Sequence, residues 1–139
     1  MKKEKEDLLE GLLGKAEPGA VAETKALMLS ERNKPPVVEA YRAMESMLPA
    51  RIDSELAEYL RCALIGVSVG FAQRHLSPYV AEHLEIVPPL LEDIRSVFLQ
   101  IKGMEAEIDR EAFRHQAFDY GIHKALYLDW RLYLSKDMY

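Results

Sequence analysis

The chain predicts an all-α fold: a compact bundle of about six or seven helices around one buried central helix at about 53–75, with a long last helix at about 109–135. Three observations carry this. Apolar residues recur at helical spacing along almost the whole sequence. Strand signals are missing, with no Asn-Gly or Asp-Gly turn and no sustained alternation of apolar and polar residues. The prolines, at 18, 35–36, 49, 78 and 88–89, fall where one helical pattern stops or the next begins.

The elements follow in order. Residues 4–14 form a short amphipathic segment with Leu8, Leu9, Leu12 and Leu13, and residues 1–17 read as a loosely attached N-terminal helix of a single domain spanning 1–139. Residues 18–32 place Ala22, Ala26 and Leu29 on one stripe, with Val21 and Met28 beside it. Residues 36–48 open at Pro35-Pro36, carry Val37, Tyr41, Met44 and Leu48 on one face, and close at Pro49. In the run Ile52-Asp53-Ser54-Glu55, Asp53 is an N-cap, Glu55 suits the positive end of the helix dipole, and Ile52 is an apolar staple. The helix that follows has no charge between Ala63 and Ala72, so it is expected to be covered on nearly every side.

Ser77-Pro78 begins a short helix reaching about Glu85. Pro88-Pro89 begins another, with Leu90, Ile94, Val97, Phe98 and Ile101 on one face and Gly103 as its terminator. Ile108-Asp109-Arg110-Glu111 repeats the capping pattern of residues 52–55 and starts the last helix. Nothing after it repeats, so the echo is the same capping chemistry used twice.

Composition bounds the function. Apolar residues at 49% and charged residues at 29% are ordinary for a globular domain long enough to bury its own core. A net charge of −5, with no concentrated basic run, argues against a nucleic-acid partner. The longest uncharged run, Cys62 to Gln73, is too short to span a bilayer, so no membrane partner is expected. The lone Cys62 cannot pair within the chain and the N-terminus has no signal-peptide core, so the expected location is cytoplasmic. There is no glycine-rich phosphate loop and no Gly-x-Ser-x-Gly elbow.

The candidate site lies on the last helix. At about 100° per residue, Ala112, Ile122, Leu126, Trp130 and Tyr133 form one stripe, and His115 and Asp119 fall inside it, one turn apart. A carboxylate at that spacing can accept from the imidazole and fix its tautomer. His123 continues the row. His83, which shares an apolar face with Tyr79, is the best-placed donor from another element, and His75 the next. Helical bundles hold metals with such inward histidines and carboxylates, although Glu-x-x-His and His-Glu-x-x-His are missing here. Arg110 and His115 would point about 140° apart on a continuous helix and make no joint site.

Gly66 and Gly70 form a Gly-x-x-x-Gly whose small face lets another helix approach, either within the chain or across a dimer seam. The last helix carries a second apolar arc, with Ala117, Ala125, Leu128 and Leu132, which either crosses the core or meets a second subunit. Two functions are therefore open. One is an interaction, oligomerisation or accessory module that forms a homodimer. The other is a metal- or cofactor-binding helical protein, enzymatic or not, with an interior site of His115 and Asp119 helped by His123 and His83. The sequence requires no cofactor and names no reaction.

Overall fold

The structure, a computed structural model, describes residues 18–104 and 107–126. Among these the chain is all helical: α1 (Pro18–Glu31), α2 (Pro35–Glu45), α3 (Ser54–Gln73), two 3₁₀ turns (Ser77–Glu82 and Leu84–Ile86), α4 (Val87–Gly103) and α5 (Arg110–Leu126). Helix α3 is the centre. It packs against α1, α2, α4, α5 and the first 3₁₀ turn. Its side chains at Tyr59, Leu60, Ala63, Leu64, Val67, Val69 and Phe71 are buried, and the Ser68 hydroxyl is kept satisfied by donating back to the Leu64 carbonyl at 2.7 Å. The expected N-terminal helix and the last turns of the 109–135 helix, with Leu128, Trp130, Leu132 and Tyr133, lie outside the described residues.

Both predicted caps form. The Asp53 carboxylate accepts from the backbone N–H groups of Glu55 at 2.8 Å and Leu56 at 3.2 Å, and the Asp109 carboxylate accepts from Ala112 N–H at 3.2 Å. Ile52 and Ile108, each one residue before its cap, rest against the core.

The closest contact in the fold is between α3 and α5. A Cβ at Gly66 would overlap the carbonyl oxygen of Phe118, and a Cβ at Gly121 would overlap the carbonyl oxygen of Ala63. Each helix thus rests the bare Cα of a glycine on the other's backbone. One turn along, a Cβ at Gly70 would come within 2.5 Å of the Ala125 Cβ. The Gly-x-x-x-Gly of α3 is therefore a seam within the chain, and the arc of α5 that holds Ala117 and Ala125 is its other half. At one end of the seam Tyr59 stacks on Phe113 with ring centroids 4.2 Å apart and meets Phe98 of α4 at 6.0 Å. The Tyr120 hydroxyl donates to Asp93 at 2.5 Å and ties α5 to α4.

Three expectations change. The helix predicted at 77–85 is two 3₁₀ turns, broken at His83, whose backbone (φ −129°, ψ 35°) leaves the helical region. Gly103 does not end α4 in a left-handed conformation, and no described glycine has a positive φ. The left-handed terminator is instead His75, at φ 57°. Its N–H donates to Ala72 O at 3.0 Å and the N–H of Leu76 donates to Phe71 O at 2.9 Å, which closes α3 with a Schellman turn. The third change concerns α1. Its predicted stripe, Ala22, Ala26 and Leu29, faces outward, while Val21, Thr24 and Met28 are partly buried.

Two stability outcomes follow from this geometry. Gly66→Ala must separate two backbones and is expected to destabilise the fold by about 3 kcal/mol or more, whereas Gly103→Ala, with open space around it, leaves the urea midpoint unchanged or slightly raised. His75→Gly relieves a left-handed side chain and is expected to raise stability by about 1 kcal/mol in the same urea titration.

Candidate functional site

The reciprocal glycine contact sets the rotation of α5. Its buried residues are Ala112, Phe113, Ala117, Phe118, Gly121, Ile122 and Ala125, and Gly121 marks the midline of the face that meets α3. His115 and Asp119 consequently lie along one edge of that face and are half-buried. The expected hydrogen bond between them is absent: His115 Nδ1 is buried and meets no protein acceptor. His123 is exposed. His83 is buried in the break between the 3₁₀ turns, with Nδ1 3.5 Å from Glu85. His75 is the exposed terminator of α3. The expected metal set of His115, Asp119, His123 and His83 does not converge, and among the described residues no group of three or more His, Cys, Asp or Glu side chains is arranged to hold a metal ion.

The charged residue that does reach toward the helix seam is Arg114. It shares the rotational position of Ala117 and Gly121 and pairs through Nη2 with Glu58 of α3, while its Nε is buried without a protein acceptor. The spacing 114, 117, 121, 125 carries this signal in the sequence. It is visible once glycine and alanine are counted as the contact face, and it is hidden when bulky residues alone define the stripe.

Arg114 and His115 open on a cleft of about 60 Å³ between α5 and α1. Its other walls are Glu111 from α5 and Val21, Thr24, Lys25 and Met28 from α1. Lys25 Nζ stands 3.9 Å from Glu111, an exposed pair that adds little stability. The cleft therefore combines cationic and apolar groups, two of them with unused hydrogen-bonding capacity.

A second polar cluster lies where the starts of α3 and α5 meet the end of α4. The Glu55 carboxylate accepts from the Tyr59 hydroxyl at 2.9 Å and lies 3.4 Å from Lys102 and 3.7 Å from Arg110. Burial, and the carboxylate beside it, hold the Tyr59 phenol well above its ordinary pKa, so it stays protonated. Lys102 also lies 5.6 Å from the Phe98 ring centroid. Two exposed cations share the one carboxylate, so the ion pairs link three helices while adding little stability, and the phenol is fully covered.

Cys62 lies beside the seam and is buried. Burial pushes its thiol pKa from 9.0 up to about 11; Glu58 adds to the rise and Arg114 opposes it. It is a small core group, not a nucleophile at neutral pH.

Residues 46–135, more than half of the chain, match the model of a family described as Domain of unknown function (DUF8786). The matched stretch holds α3, α4, α5 and the α5 wall of the cleft; α1 and α2 precede it. No curated protein and no solved structure matches the chain.

The raised Cys62 pKa has a defined sign. The unfolded thiol loses its proton at lower pH than the folded one, so the associated stability is present below pH 9 and is lost as the pH rises toward 11. The urea midpoint is expected to fall across that window, and Cys62→Ala is expected to flatten the fall, leaving the part that Tyr59 contributes in the same direction.

Proposed function

The chain belongs to the DUF8786 family, a domain of unknown function, and from that premise we propose that it is a helical interaction module that self-associates through the outer face of α1. The observation that carries this reading is the apolar stripe that α1 leaves facing outward. A short surface helix ordinarily turns its more apolar stripe to the core. Here Val21, Thr24, Met28 and Glu31 form the partly buried side, while Ala22, Ala26 and Leu29, at i, i+4 and i+7, face outward. Leu29 is 47% exposed.

The chemistry suits a second copy of the same helix. Two alanines permit close approach of the helix axes, and each leucine buried across a seam contributes about 1.5–3 kcal/mol. A two-fold interface would place the same stripe on both sides. Glu23 and Lys25 flank the stripe and supply opposite charges at its rim.

Sedimentation equilibrium over a concentration series tests this. The expected result is a monomer–dimer equilibrium in the wild type and a monomer in Ala26→Glu and Leu29→Glu, with unchanged circular dichroism. A wild-type chain that stays monomeric across the series would sink the reading.

A further inference from the structure

The cleft between α1 and α5 has a chemistry that self-association does not use. Arg114 and His115 both line it, and each holds a buried nitrogen, Nε and Nδ1 respectively, that meets no protein acceptor. The Nη2 end of the same guanidinium is held by Glu58, so Nε–H is fixed in place. Leaving a buried donor without an acceptor is costly, and two such nitrogens on adjacent residues of one cleft favour a group that offers two acceptor oxygens a short distance apart. Facing them across the cleft, α1 contributes Val21 and Met28 as apolar wall and Thr24 as a hydroxyl.

We propose that this cleft binds a small monocarboxylate with a short aliphatic tail. The carboxylate accepts from Arg114 Nε–H and from an N–H at His115 Nδ1, and the tail rests on Val21 and Met28. Size and charge both limit the ligand. A cleft of about 60 Å³ is far smaller than a nucleotide or cofactor site. Glu58 pairs with Arg114 and Glu111 with Lys25, so little positive charge is left over and one negative charge is favoured over two. The wall that α1 supplies rests on a narrow stripe of partly buried residues, so a modest shift of that helix admits the ligand.

The test is a titration of the isotope-labelled full chain with butyrate, followed by amide and imidazole chemical shifts, with inorganic phosphate as the competing anion. Saturable shifts centred on Val21, Met28, Arg114 and His115 are expected with butyrate. Phosphate, and butyrate with the His115→Phe variant, are each expected to bind about ten-fold more weakly or worse. No saturable shift with butyrate, shifts centred elsewhere, or phosphate binding as tightly as butyrate would each overturn the proposal. The wild-type titrations decide this on their own if His115→Phe does not fold. Repeating them on Leu29→Glu separates the cleft from self-association.

Discussion

The fold depends on one steric fact: α3 and α5 touch backbone to backbone. Gly66 lies against the Phe118 carbonyl and Gly121 against that of Ala63, so the helices are closer than any pair of side chains would allow. Such an approach brings Cα–H groups against carbonyl oxygens, a weak attraction that adds to dense packing. The geometry also offsets what glycine loses in a helix interior, roughly 1 kcal/mol each relative to alanine. Everything else on α5 inherits its position from this contact. Once Gly121 is on the midline, Arg114 must point toward α3, His115 must lie at the edge facing α1, and Tyr120 must reach α4.

Polar groups near the seam are handled in two different ways. Around Glu55 they share a partner: a phenol and two exposed cations meet one carboxylate, and three helices are joined by it. Beside α1 they do not: Arg114 and His115 each keep an unmet nitrogen. A polar group that has found a partner is settled, and a buried one that has not keeps capacity for something else. The contrast separates a structural clamp from a binding cleft only a few turns away.

Much of this architecture is legible in the sequence because local chemistry decides it. Asp53 and Asp109 cap as their flanking residues demand, the uncharged middle of α3 is buried because no face of it can be left in water, and the stripe of α4 from Leu90 to Ile101 emerges as read. The parts that were not legible depend on partners. A ranking by side-chain bulk puts glycine last, yet the smallest residue marks the closest approach, so the stripe that bulky residues define on α5 lies about a third of a turn from its true midline. Helix α1 has apolar residues on both sides, and its inward face is chosen by the surface of α5, not by its own periodicity. At 77–86, α and 3₁₀ turns differ by one residue in hydrogen-bond offset, a difference that composition does not encode. The His75 terminator sits where glycine is the usual signal.

The two kinds of glycine contact have unequal evolutionary consequences. What blocks a side chain at Gly66 or Gly121 is a carbonyl oxygen, which every residue type possesses. No exchange at the facing position can make room, so these two sites should stay fixed in relatives that keep the crossing, and they should show no covariation with any partner. What blocks Gly70 is the Ala125 Cβ, which glycine at 125 would remove. That pair can trade its methyl group from one helix to the other once the Ile122 carbonyl, 3.2 Å from the new Cβ, gives slightly, and it should drift as a correlated couple beside two silent, unchanging neighbours.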